Sequence, residues 1–335
     1  MNLRHLQCVW IAIGLASLAA CSTAAHETRP AAPIEVEPGT RAESETPELW
    51  FRSGAAAAQR LRGDERARAR NIILFLGDGM GLSTITAARI LEGQRKGMTG
   101  EENRLAFEEF PYIALSRTYE VDAQTAESAG TMSAIMAGVK TRFGVVAVNQ
   151  RARRRDCASA AGNEMVTALE LAAIAGLGTG IVTTTRITHA TPAATFAHSP
   201  ERNWEHDAAI PPAERAHGCA DLARQLVEFP FGGGIDVVFG GGRSRFLPVT
   251  SVDPEYADVR GKRQDGRDLI AEWLRVPGSH HVWNGEQFAA LEPAQGGRVL
   301  GLFEPEHMRY EHDRGNDPGR EPSLAAMTRK AIELL

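Results

Sequence analysis

Hydrophobic and polar positions along the chain switch repeatedly between two spacings. Asn71 to Leu76 is an almost continuous apolar run, the pattern of a strand buried on both faces. Gly77-Asp78-Gly79 breaks it, and Ser83 to Glu92 reads as a helix with Ser83 as its N-cap. Tyr112 to Tyr119 reads as a strand and Ser128 to Val139 as a helix of small residues and Met. Glu164 to Ala175 reads as a helix ended by Gly176. Gly180 to Thr185, Asp236 to Phe239 and Arg298 to Phe303 read as strands. Glu48 to Leu61 reads as an early helix, and Pro322-Ser323 opens a last one that runs to Leu335. Strands alternating with helices predict an α/β fold, a mainly parallel central sheet with helices on both faces. No internal repeat is visible.

The first apolar run is of another kind. Cys8 to Ala20 follows Arg4 and His5, is too short for a confident membrane span, and suits the core of a signal peptide. It stops at Leu18-Ala19-Ala20-Cys21, which resembles a bacterial lipobox. Residues 1–20 are therefore expected to be a lipoprotein signal peptide, with Cys21 lipidated and attached to the membrane. An ordinary cleaved signal is the alternative. Either way the protein is exported, and a membrane-anchored periplasmic lipoprotein is expected. Residues 21–46, rich in Ala, Pro, Glu and Thr, read as a flexible tether to a domain spanning 47–335. Cys157 and Cys219 then remain as an even pair in an oxidising compartment. They are expected to form a disulfide, with free buried thiols as the alternative.

Composition narrows the class. The 335 residues are 43% hydrophobic and 24% charged, which excludes disorder throughout. A formal net charge of −5 excludes a broadly basic nucleic-acid binder, and no nucleic-acid partner is expected. Arg151 to Arg155 reads as a solvated loop. Gly176-Leu-Gly-Thr-Gly180 follows a helix and precedes a strand, the reverse of the dinucleotide-binding order. Neither a P-loop nor a Gly-x-Ser-x-Gly elbow is present.

Three segments carry candidate chemistry. In open α/β sheets ligands bind beyond the carboxyl ends of the strands. Asp78 stands at such an end, where a carboxylate either holds a divalent cation or caps the next helix. Ser128 stands where a helix begins. There it is a nucleophile aided by free N–H groups and the helix dipole, or a plain N-cap. His189 and Thr191 follow the strand at Gly180 to Thr185, and Arg202 offers a planar fork suited to phosphate. Taken singly, these three also read as a surface His, a turn Thr and a solvated Arg.

Together the segments resemble the alkaline phosphatase family, from about Glu48 to Leu335. The resemblance is carried by Asn71 to Gly81, by Glu127-Ser-Ala-Gly-Thr131 and by Gly138-Val-Lys-Thr141. It continues through Thr183 to Pro192, Arg202-Asn-Trp204, Asp236 to Arg243 and Gly301-Leu-Phe-Glu-Pro305. Cys157 and Cys219 fall where many members have a disulfide. The resemblance implies hydrolysis of small phosphate monoesters through a phosphoseryl intermediate on Ser128, assisted by Zn2+ and Mg2+. It implies that Asp78 bridges the serine-side zinc and magnesium, and that Ser128 is a zinc ligand. It implies that Thr191 binds magnesium with His189 beside that site, and that Arg202 binds the phosphoryl oxygens. Members are commonly homodimers.

Two departures from the family pattern stand out. Glu127 replaces an Asp that often precedes the nucleophile. The later Glu, Asp and His metal-ligand motifs are not found by residue 335, so the domain reads as C-terminally truncated. Exposed apolar faces, an open sheet edge and low stability are expected to follow. A non-catalytic remnant, or a phosphate- or metal-binding lipoprotein, is the alternative function. A different phosphoryl- or sulfuryl-transfer enzyme of the wider superfamily is a third.

Overall fold

The structure is a computed structural model that describes residues 45–61, 69–293 and 296–335. The leader at 1–20, Cys21 and nearly all of the 21–46 tether lie outside the described residues. Thr46–Leu335 forms one compact unit.

Its centre is a four-stranded, fully parallel sheet. The strands are β1 (Gly180–Arg186), β2 (Val237–Gly241), β3 (His280–Val282) and β4 (Val299–Leu302), in the order β1-β2-β4-β3. Ile181 pairs with Val238, and Val238 with Leu300. The period of two along β2 divides the core between the two faces. Val238 joins Ile181, Leu300, Phe246 and Trp273 on one face. Val237 and Phe239 join Phe288, Phe303 and Met327 on the other. β2 and β4 are buried throughout, as inner strands of a parallel sheet must be.

The helices that matter below are α1 (Pro47–Leu61), α2 (Leu82–Arg95), α3 (Ser128–Ala137), α4 (Ala168–Ile174), α5 (Ala190–Ala193) and α6 (Leu324–Leu334). α4 starts from a reciprocal capping box between Thr167 and Glu170. It ends at Gly176, whose φ of 72° suits glycine. α6 is capped by the Ser323 side chain and buries Met327 and Ala331 against the sheet. Cys157 and Cys219 are joined by a disulfide, Cα to Cα 5.8 Å, beside Trp204 and Ile210.

Several sequence expectations are corrected. Asn71 to Leu76 has no regular secondary structure and pairs with no strand among the described residues, and Ile72 to Leu76 are 40 to 87% exposed. Tyr112 to Tyr119 is likewise unpaired, with Tyr112, Ile113 and Leu115 exposed. An apolar run becomes a strand only where a neighbouring backbone takes its hydrogen bonds, and none of the described residues does so beside these two. α2 starts one residue early, from Gly81, with no side-chain cap, so Ser83 is not its N-cap. β3 was not foreseen. It is a three-residue edge strand built on His280 and His281, too short and polar to show a period.

Candidate active site

The polar centre gathers at the carboxyl end of β1. Asp78 stands in the Gly77–Gly79 turn, where Gly79 adopts φ 65°. Ser128 opens α3, and His189 is the N-cap residue of the short α5 that contains Thr191. Asp78 ties these elements together. Its Oδ1 accepts the Ser128 hydroxyl at 2.8 Å, and its Oδ2 accepts the Thr191 hydroxyl at 2.5 Å. Burial pushes the Asp78 carboxyl up, but these two hydrogen bonds and the Arg202 charge outweigh it. Asp78 therefore ionises below its ordinary value.

Ser128 is not the cap of α3. Glu127 is, and its carboxylate accepts from Ala129 N–H at 2.9 Å and Gly130 N–H at 2.7 Å. It also accepts Gly144 N–H at 2.9 Å and holds Arg202 through Nη1. Two consequences follow. The Ser128 hydroxyl is released from capping and points to Asp78. Two of the N–H groups expected to be free for an anion are already taken, so Arg202 and the helix dipole carry more of that task. Burial raises the Glu127 carboxyl, yet the three N–H donors and Arg202 lower it further, and it stays ionised.

Arg202 reaches back to His189, with Nη2 to Nε2 at 3.1 Å. A guanidinium only donates, so this contact assigns Nε2 as the acceptor and places the imidazole proton on Nδ1. Nδ1 is buried without a hydrogen-bond partner and lies 4.0 Å from Asp78 Oδ2. Burial, then the charges of Arg202 and Arg186, push the His189 pKa down to about 4, so the ring is neutral at pH 7.

All five residues singled out from the sequence, Asp78, Ser128, His189, Thr191 and Arg202, thus fall in one cluster. Others were missed. Arg186, at the end of β1, makes a bidentate pair with Glu205 at 2.7 Å for both bonds. Thr188 adds a third bond at 2.6 Å, and the Glu205 carboxyl falls to about 2. The His307 ring stands edge-on to His189, centroids 5.5 Å apart. Position after the Arg202-Asn-Trp204 motif was the one available hint of Glu205. The basic loop at Arg151 to Arg155 is spent on ion pairs to Glu48, Asp156 and Glu201.

Among the described residues, a single group of three or more His, Cys, Asp or Glu could share one ion, and it lies elsewhere. Glu255, Glu304 and Asp317 each offer an oxygen within 4.8 Å of the others. Glu304 follows β4. Burial and the neighbouring Glu255 and Asp317 push its carboxyl up to about 8. This is an all-oxygen set of the kind hard divalent cations use. At the Ser128 cluster, Asp78 and Thr191 are oxygen donors of the same kind. A catalytic zinc takes three protein ligands, and around Ser128 and Asp78 the described residues do not supply the third.

The fold and the cluster define a parallel α/β protein with its polar centre at the carboxyl ends of the strands. Residues 69–335 match the family model described as alkaline phosphatase, and the chain belongs to that family. The tissue-nonspecific alkaline phosphatase of Rattus norvegicus is 47% identical over 274 residues, 80% of this chain and 52% of that protein. The alkaline phosphatase of Gadus morhua is 43% identical over 293 residues, 85% of this chain and 60% of that one. Among solved structures, the Thermus thermophilus alkaline phosphatase aligns with a TM-score of 0.54 at 30% identity. That alignment covers 75% of this chain and 43% of the other. The chain spans about half the length of the curated relatives it matches.

Proposed function

We propose that this chain carries the nucleophile centre of a phosphate-monoester hydrolase. The observation that supports it most is the Asp78 bridge, with Ser128 Oγ at 2.8 Å on one oxygen and Thr191 Oγ1 at 2.5 Å on the other. Ser128 is the nucleophile. Asp78 holds its hydroxyl proton and turns an Oγ lone pair toward the incoming phosphorus. An Oγ–P bond forms as the bond to the leaving oxygen breaks; the Ser128 proton passes to Asp78 Oδ1 and on to solvent, and the leaving oxygen takes a proton from water. Water then attacks the phosphoserine, releasing phosphate and restoring Ser128. Arg202, held from behind by Glu127, presents its remaining donors to the phosphoryl oxygens, and the α3 dipole adds to the same field. Thr191 and neutral His189 fix Asp78 and Arg202 from the β1 side.

Magnesium fits the oxygen donors of Asp78 and Thr191, with His189 beside them. A cation there supplies positive charge that balances the phosphoryl group against Asp78. Direct ligation by His189 Nδ1 would require its proton to leave, which favours contact through water. Among the described residues zinc is a poorer fit, because they offer Asp78 and Ser128 where three protein ligands are usual. The second reading is a centre that binds phosphate without turnover.

Export and a Cys21 membrane anchor belong to the same proposal, supported by residues 8–21 and by the Cys157–Cys219 disulfide. A homodimer is proposed as its assembly. Hydrolysis of a chromogenic phosphate monoester at alkaline pH, with zinc and magnesium added, tests the function. Activity lost in Ser128→Ala and with chelator supports the hydrolase. Phosphate binding without turnover above the Ser128→Ala background supports the second reading.

A further inference from the structure

Behind the first turn of α3 lies a carboxyl that this mechanism does not use. Glu120 is 1% exposed. Its backbone is tied into a loop, Glu120 N–H to Ala123 O at 2.9 Å and Val121 N–H to Thr141 O at 3.0 Å. Its Oε1 accepts the backbone N–H of Glu127 at 3.1 Å. A Cβ on Gly130 would collide with that same oxygen and with Arg142 O. The helix therefore comes this close only because residue 130 is glycine. Oε2 is buried with no hydrogen-bond partner.

A buried carboxyl that takes one backbone N–H and stands beside the Glu127 carboxylate is an expensive way to fill space, since an apolar side chain would do so at lower cost. Its placement gives it another use. The peptide it holds belongs to Glu127, whose side chain grips Arg202 and three N–H groups. The next residue is Ser128. A shift of that peptide would move the nucleophile and the phosphate-facing arginine together.

We infer that Glu120 is a positioning residue. By holding the Glu127 N–H against the first turn of α3, its carboxyl keeps Ser128 and the Glu127–Arg202 pair in the geometry that receives a phosphoryl group. The inference rests on the phosphoryl-transfer reading of that site. It adds a residue that touches neither substrate nor metal and acts through its hold on Glu127.

The test compares the full chain with Glu120→Ala and Glu120→Gln. Inorganic phosphate is titrated by calorimetry, and NMR of 15N-labelled arginine reports whether the Arg202 guanidinium is locked or rotating. Glu120→Ala should weaken phosphate binding about tenfold, equivalent to ~1.4 kcal/mol, and release Arg202. Glu120→Gln keeps an oxygen acceptor and should stay within about twofold of wild type. If Glu120→Ala does not fold, Glu120→Met, which fills the space without an acceptor, replaces it. Wild-type affinity with a locked Arg202 in the Ala or Met variant overturns the inference. So does a Gln variant as impaired as Ala. If the wild type binds no phosphate, the phosphoryl-transfer reading fails, and the Arg202 signal alone decides on Glu120. Release in Ala with rescue by Gln supports positioning, and an unchanged signal refutes it.

Discussion

Glu127→Ala is the sharpest single perturbation of this centre. It removes the acceptor for Ala129, Gly130 and Gly144 N–H and leaves Arg202 without its carboxylate. Loss of a helix cap of this kind costs ~1 kcal/mol. The ion pair is largely buried, with side chains 19% and 12% exposed for Arg202 and Glu127. Exposed pairs contribute ~0–1 kcal/mol and breaking buried ones costs ~3–5, so an intermediate pair is set at about 2 kcal/mol. The expected total is about 3 kcal/mol, a large share of a typical ~5–15 kcal/mol domain stability. Urea unfolding followed by tryptophan fluorescence measures it. The pH dependence has a definite sign. The Glu127 carboxyl is depressed in the folded state, so its contribution is present above the unfolded value and lost as pH falls through the folded one. The gap between wild type and variant should therefore close below about pH 4. A gap under ~0.5 kcal/mol at neutral pH, or one that does not shrink in acid, refutes the reasoning.

Other expectations follow from the same structure. Glu304 has a raised carboxyl, near 8, so ionisation favours the unfolded chain as pH rises from its unfolded value towards 8. Glu304→Gln, which keeps an acceptor for the Tyr256 hydroxyl, should be more stable than wild type by an amount that grows from pH 5 to 8 and then levels off; a constant difference in melting temperature would count against it. Reducing the Cys157–Cys219 bridge frees a loop of 62 residues and should cost on the order of 4 kcal/mol, read as a shift in the urea midpoint. The exposed run Ile72 to Leu76 should bind a hydrophobic dye and promote self-association; Ile72→Lys with Leu74→Lys should lower both while leaving stability within about 0.5 kcal/mol. Dye binding unchanged by the pair would place the apolar surface elsewhere.

Local pattern carried most of the fold. Asp236 to Phe239 and Arg298 to Phe303 were legible because strands buried on both faces read as nearly unbroken apolar runs, and Gly180 to Thr185, an edge strand with only Ile181 buried, was legible from its β-branched residues. The last helix was legible from Ser323 and its apolar stripe. Asn71 to Leu76 has the same local pattern and yet pairs with no strand among the described residues, since pairing depends on a distant partner that six residues do not encode. The residues bearing the candidate site were legible from three separated motifs, and the Asp78 bridge joins all three, reaching across 50 positions to Ser128 and 113 to Thr191. Of the two readings left open for Ser128, nucleophile or plain N-cap, the structure removes the cap. A serine at a helix start suggests a cap, but Glu127 reaches further and takes that task. Glu120 and Glu205 look like ordinary acidic loop residues. Only the packing of Gly130 and the fork of Arg186 give them meaning.

The central claim is that Ser128, aligned by Asp78 and faced by Arg202, accepts a phosphoryl group. The full chain would be incubated with a phosphate monoester, zinc and magnesium, quenched in acid, and digested for peptide mass spectrometry. The account predicts phosphate on the Ser128 peptide, none in Ser128→Ala and less in Arg202→Ala. Phosphate binding that never labels Ser128, or labelling that survives Ser128→Ala, contradicts it.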